Sequence, residues 1–156
     1  MNNSADSRTD RFRDFIIEAE RRLSIAFAAA YGPELGREAT AEALAYFWEH
    51  RERIMTMENP IGYLYRVGQS HARRFFRSRH REVPDPPRDL EPVVEPKLLP
   101  ALRRLSARQR QAVVLVHGYG YTQKEVGELL GISRSSVQRH LFRGLGALQT
   151  SLGVER

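Results

Sequence analysis

Between Val83 and Pro96 the chain reads VPDPPRDLEPVVEP, with five prolines and four acids in fourteen residues. Each proline removes a backbone donor and fixes φ at about −65°, so no helix can run through such a stretch, and the chain is biased to extended polyproline-like conformations. Folding therefore has to happen on either side of it. The expected organisation is an N-terminal unit over residues 1–82, an acidic Pro-rich linker over 83–96 and a C-terminal unit over 97–156, each with its own core.

Both flanks carry helical punctuation. Residues 6–30 read as a helix whose polar first half gives way to Leu23, Ile25 and Phe27 and which stops at Gly32-Pro33. Residues 34–53 read as a second, and Asn59-Pro60 supplies an N-cap and a first-turn proline for a third running to about Arg81. Beyond the linker the pattern predicts helices over 98–105, 106–117, 122–130 and 133 to about 152, with fraying or a bend past Gly144 and Gly146. There is no internal repeat and no strand-like alternation. The fold class is all-α: a three- to four-helix N-terminal bundle and a C-terminal helix-turn-helix bundle.

The helix-turn-helix is the most specific local signal. In Thr122-Gln-Lys-Glu125 the threonine hydroxyl and glutamate carboxylate can exchange bonds with the free amides that open a helix. Val126, Leu129 and Leu130 give that helix an apolar face, Gly131 suits a left-handed C-terminal residue, Ile132 plugs the turn and Ser133 caps the next helix. On this second helix Val137, Leu141, Leu145 and Leu148 fall within an arc of about 80° and should pack inward. Arg134, Ser135, Ser136, Gln138, Arg139 and Arg143 are left facing out as candidate DNA contacts. The N-terminal end of such a helix enters the major groove, so Arg134, Ser135, Gln138 and Arg139 are expected at base edges and Arg143 at phosphate.

Charge points the same way. The net charge of +6 is concentrated in two blocks: residues 59–82 carry six basic groups against one acid, and 97–156 carry ten against three. Arginine dominates both, which implies a polyanionic partner. The first block contains the third helix, where Leu64, Val67, Gly68, His71 and Phe75 are expected on one side and Arg66, Gln69, Ser70, Arg73 and Arg77 on the other. Tyr65 and Phe76 border the polar side on one flank and Tyr63 on the other. Exposed rings interleaved with cations suit unpaired bases, which stack on ring faces while arginines hold the backbone. On the second helix Glu38, Glu42 and Glu49 share one edge that could meet a basic protein, or be a solvated face.

Enzymatic chemistry finds little support. The chain has no cysteine for a thiolate or a metal cluster, and His50, His71, His80, His117 and His140 show no ligand spacing with each other or with acids. Gly118-Tyr-Gly120 lacks the preceding strand and third glycine of a dinucleotide loop. No catalytic residue, metal or cofactor is expected. No apolar run approaches a membrane span of about 20 residues, and residues 1–13 lack the apolar stretch of a secretory signal, so a cytoplasmic protein without membrane insertion is expected.

Residues 102–148, LRRLSARQRQAVVLVHGYGYTQKEVGELLGISRSSVQRHLFRGLGAL, resemble the C-terminal domain of bacterial RNA polymerase sigma factors of group four, the extracytoplasmic-function type. Residues 59–81, NPIGYLYRVGQSHARRFFRSRHR, resemble that family's promoter-opening helix, and residues 43–50 resemble the end of its polymerase-binding helix. The resemblance covers most of residues 15–150. It implies that the C-terminal unit grips the upstream (minus thirty-five) element and that the N-terminal unit binds core RNA polymerase and opens the minus-ten element. It also implies that promoter DNA is met both as duplex and as melted strand, with the linker near the RNA path. Against the family pattern, Glu38 and Ala41 stand where an Asp-x-x-Gln pair is common, Ser70 where asparagine is usual and Tyr63 where tryptophan is. Two other readings stay open: a sigma-like DNA-binding regulator that does not direct polymerase, and an interaction protein held by an anti-sigma factor.

Overall fold

The computed structural model describes residues 3–78 and 96–154. Seven α-helices follow in order: α1 Asn3–Tyr31, α2 Pro33–Ile54, α3 Pro60–Ser78, α4 Leu98–Arg104, α5 Ala107–Val113, α6 Gln123–Leu130 and α7 Arg134–Leu152. A π-helical turn, Val114–Gly118, continues α5, and the described residues hold no strand. The expected extension of α3 to Arg81 and nearly all of the 83–96 segment lie outside the described residues.

In the N-terminal unit α1 and α2 form a hairpin. Gly32 turns it at φ 87°, a left-handed value that a side chain would strain, with Pro33 opening α2. Asn59 caps α3 by accepting from the Gly62 amide at 3.1 Å. Gly68 is the point of closest approach: a Cβ there would lie 2.4 Å from the Phe27 ring and 2.8 Å from the Ala39 carbonyl oxygen. With the helices seated on that glycine, the inward sector of α3 is Leu64, Tyr65, Gly68 and Ala72. The expected sector is thereby corrected by a partial rotation: Val67 and His71 are half-buried and Phe75 is 39% exposed.

In the C-terminal unit Ser106 caps α5 in a full capping box with Gln109. Ala101, Leu105, Ala112, Val113, Leu141 and Leu148 gather into a core of their own. The rest of the unit's apolar surface does not. Leu115, Val126, Leu129, Leu130 and Val137 belong to the same apolar cluster as Phe27, Phe47, Leu64 and Tyr65, so α5 and the π-turn lie on α1 and α6 on α3. The larger apolar cluster thus spans both units. α7 also runs unbroken to Leu152, where Gly153 ends it in the left-handed region, so the expected fraying past Gly144 is corrected. The reason is packing: Gly144 is buried, and its missing side chain lets Val113 approach α7.

Candidate nucleic-acid interface

The turn between α6 and α7 is built from local bonds. The Glu125 amide donates to Thr122 Oγ1 at 3.1 Å and the Thr122 amide to Glu125 Oε2 at 2.9 Å, which fixes the start of α6. Gly131, at φ 69° and ψ 34°, ends it, and the Ile132 amide returns to the Gly127 carbonyl at 3.0 Å. Ser133 Oγ accepts from the Ser136 amide at 3.1 Å and opens α7. Val137, Leu141 and Leu148 are buried, so the opposite arc is presented to solvent.

On that arc Arg134, Ser135, Gln138, Arg139 and Arg143 are exposed and Ser136 is half-buried. Ser136 nonetheless takes part: its Oγ accepts from Arg139 Nη2 at 3.2 Å, which orients the Arg139 fork. Arg143 has no such tether among the described contacts. Phe142, missed in the sequence reading, is 73% exposed beside it, where the 3.6-residue period leaves it off the inward arc. His140 is half-buried, and burial, followed by the nearby Arg108, Arg139 and Arg143 charges, holds its imidazole below the ordinary histidine range. This is an anion-seeking surface.

The second basic face lies on α3. Arg66, Ser70, Arg73 and Arg74 are exposed, Gln69 is half-buried, and these five line one open cleft. None of its three arginines is ion-paired among the described residues, so their charge is uncompensated. The side chains of Phe76 and Arg77, expected on this face, lie outside the described ones.

Tyr65 is not on it. Its ring is 1% exposed and stacked on Phe27 at 5.0 Å and 8°, and its hydroxyl accepts from Gln111 Nε2 at 2.9 Å. Burial pushes the phenol above its ordinary pKa. The expectation that Tyr65 offers a face to an unpaired base is corrected, because the Gly68 contact turns it into the core.

A second aromatic group links α2 to α3. Tyr46, His50 and Arg53 on α2 face Tyr63 on α3: the two tyrosine hydroxyls are 3.2 Å apart, and Arg53 Nη2 donates to Tyr46 Oη at 3.0 Å. The His50 ring stacks on Tyr46 at 4.2 Å, and the Arg53 guanidinium sits 5.8 Å from the Tyr63 ring centre. The bond from Tyr46, then that from Arg53, lowers the Tyr63 pKa. Tyr46, His50 and Arg53 are at helical spacing on α2, whose backbone kinks at His50 (φ −122°, ψ 19°). On the acidic edge, Glu38, Glu42 and Glu49 are all exposed, and none is ion-paired among the described residues.

No group of three metal-binding side chains occurs among the described residues, and no described helix is long and apolar enough to cross a membrane.

Residues 97–148 match the family model of sigma-70, region 4. A search of curated proteins returns no match. Over nearly its whole length the chain has the fold of a solved structure, the sigma factor RpoE in complex with the anti-sigma factor NepR from Bartonella quintana. The TM-score is 0.68 and the identity 18%, over 94% of this chain and 99% of that one.

Proposed function

We infer that this chain, with a sigma-70 region 4 segment set in a sigma-factor fold, is a group-four, extracytoplasmic-function type sigma factor that directs transcription initiation. In this reading it binds core RNA polymerase and brings it to promoter DNA, and it acts in the cytoplasm. The observation that carries the reading is the capped helix-turn-helix of α6 and α7, which falls inside the matched segment and presents a tethered arginine on an exposed recognition face.

The C-terminal unit would take the upstream element as duplex, with Arg134, Ser135, Gln138 and Arg139 toward bases, Ser136 holding Arg139 at the same surface and Arg143 toward phosphate. The α3 face would hold the minus-ten region, with Arg66, Gln69, Ser70, Arg73 and Arg77 on the backbone. Tyr63, supported by Tyr46, would provide the stacking ring for a melted strand, in place of Tyr65. Glu38, Glu42 and Glu49 would meet a basic surface of the polymerase. Bond-making chemistry would belong to the polymerase, so the chain needs no catalytic residue.

Reconstitution with core polymerase on a promoter library tests this. Transcription starts should appear only when the chain is added, and Glu38→Lys with Glu42→Lys should reduce them. Duplex binding with no polymerase association would leave a DNA-binding regulator. The RpoE neighbour, solved with NepR, favours a further element: an anti-sigma partner that holds this chain inactive. Pull-down of a protein that blocks transcription in the same assay would identify it.

A further inference from the structure

We propose that the end of α2 completes the strand-facing site of α3: Tyr46 and Arg53 act as positioning residues that hold the Tyr63 ring ready for an unpaired base. The strand role rests on the function proposed above; the holding of the ring does not.

The core contacts of α2 do not call on these side chains. They are made by Ala39, Ala43, Phe47 and Ile54, whereas Tyr46 and His50 are half-buried and Arg53 is exposed. Away from that core the cluster bonds to itself. The Tyr46 and Tyr63 hydroxyls lie 3.2 Å apart, Arg53 Nη2 donates to Tyr46 Oη at 3.0 Å, and the guanidinium carbon sits 5.8 Å from the Tyr63 ring centre. His50 backs the group. Its ring stacks on Tyr46 at 4.2 Å, and its Nδ1 lies 3.0 Å from the Tyr46 carbonyl oxygen, the acceptor that the His50 amide serves in a regular helix. A side chain set into the carbonyl ladder is a recognised cause of a kink, and α2 kinks at His50. The last turn of α2, which carries Arg53, is thus aimed separately from the rest of the helix.

On α3, Tyr63 stands at the head of the basic strip. At about 100° and 1.5 Å per residue, Ser70 and Arg74 come round to within about 20° of Tyr63, over a length of about 16 Å. Both belong to the open cleft that Arg66, Gln69 and Arg73 also line. Ring and arginines therefore follow one line, the arrangement that tracks an unpaired strand by stacking and backbone contact. None of the ion pairs among the described residues involves Arg53, so its charge stays with the ring. Bonds within reach of water exchange one partner for another and add little to fold stability, so the effect of this cluster lies in orientation. A ring that turns freely has to be ordered when a base stacks on it; a ring already held by two partners does not.

The test uses the full chain with core polymerase on a duplex promoter. Tyr46→Phe and Arg53→Met should each lower open-complex formation, read by permanganate reactivity, by about two- to tenfold, the range of ordering one side chain, and leave upstream-duplex binding unchanged. Arg53→Lys, which keeps the charge but loses the planar fork, should restore only part of the loss. In a Tyr63→Ala background neither substitution should cost anything further. Losses that add to that of Tyr63→Ala, full rescue by Arg53→Lys, or duplex binding that falls in parallel overturn the positioning role. Absorbance titration of the tyrosines gives a readout that packing alone does not move. The Tyr63 phenol is held low by the bond with Tyr46 and then by Arg53, so the titration step lost in Tyr63→Phe should move to higher pH in Tyr46→Phe and Arg53→Met. A step unmoved in both overturns the holding of the ring. Circular dichroism checks folding, and Tyr46→Phe, which removes only a hydroxyl, decides the matter if Arg53→Met unfolds. Absence of open complexes with the unaltered chain overturns the promoter function and the strand role with it, while the titration still decides whether the ring is held.

Discussion

Two glycines of the C-terminal unit should respond to the same substitution with opposite sign. A Cβ on Gly127 would lie 2.8 Å from the Ile132 carbonyl oxygen, which is backbone and cannot swing aside, whereas a Cβ on Gly146 meets nothing within 4 Å. Ordinary carbon–oxygen approach is about 3.3–3.6 Å, so Gly127→Ala must widen the α6–α7 turn by roughly half an ångström. It also weakens the Ile132 to Gly127 amide bond. Overpacking costs about 1–3 kcal/mol and the hydrogen bond about 1, offset by about 1 from helix propensity, for a net loss of about 1–3 kcal/mol. Gly146→Ala keeps only the propensity gain, up to about 1 kcal/mol. At about 2–4 °C per kcal/mol for a chain of this size, the melting midpoint should fall by about 2–12 °C in the first variant and rise by up to about 2–4 °C in the second. Melts followed by circular dichroism, paired with titration of an upstream-element duplex, read both effects. Gly127→Ala should also lose DNA affinity, because the turn aims α7. If it melts at or above the parent and binds equally, the close approach does not set the recognition geometry.

Tyr63→Ala should reduce open-complex formation, read by permanganate reactivity, while sparing duplex binding; stacking on one ring contributes about 1–3 kcal/mol, and equal loss of both signals would assign Tyr63 to packing alone. His140 is held below its ordinary pKa, so the unfolded chain takes up its proton first as pH falls below about 6.5. Stability present above that window should be lost through it, and His140→Gln should flatten the difference in melting midpoint between pH 7.5 and 5; an unchanged slope would refute the assignment. Arg139 is oriented by Ser136 and Arg143 is not, so Arg139→Ala should relax base preference at one or two positions by about 1–3 kcal/mol. Arg143→Ala should instead weaken all duplexes and lower the salt slope by about one, and a specific-to-scrambled ratio unchanged by Arg139→Ala would sink the base-reading role.

The helix-turn-helix was legible because everything that specifies it is local. Thr122, Glu125, Gly131 and Ser133 lie within twelve residues, and each satisfies a backbone group of its own turn. The inward face of α3 was not legible in this way. Leu64, Tyr65, Val67 and Phe75 spread apolar surface around much of the helix, so periodicity alone does not choose the buried arc. Gly68 chooses it, through contacts with Phe27 and Ala39 that lie far off in sequence. Arg110 and Gln111 escaped for a related reason: polar side chains read as surface, and their burial needs carbonyls some eighty residues away.

The burial of Tyr65 also divides the labour on the N-terminal face. A ring stacked in the core cannot receive a base, so in the proposed function stacking would fall to the half-buried Tyr63, whose hydroxyl lies 3.2 Å from that of Tyr46 and whose ring lies under Arg53. Arg53 already donates to the Tyr46 hydroxyl, so part of its donor capacity is used in fixing the Tyr46 ring. Arg66, Arg73 and Arg74 form no ion pair among the described residues, and in the proposed function their charge would meet phosphate. A pre-set ring on the same helix as exposed arginines would suit a strand whose bases must be caught after they leave the duplex: the ring would lose little entropy on stacking, while the long arginine side chains could follow a backbone of variable path. Tyr65, expected to stack on a base, instead packs α3 against Phe27 of α1, and the residue proposed to stack lies two places earlier in the chain.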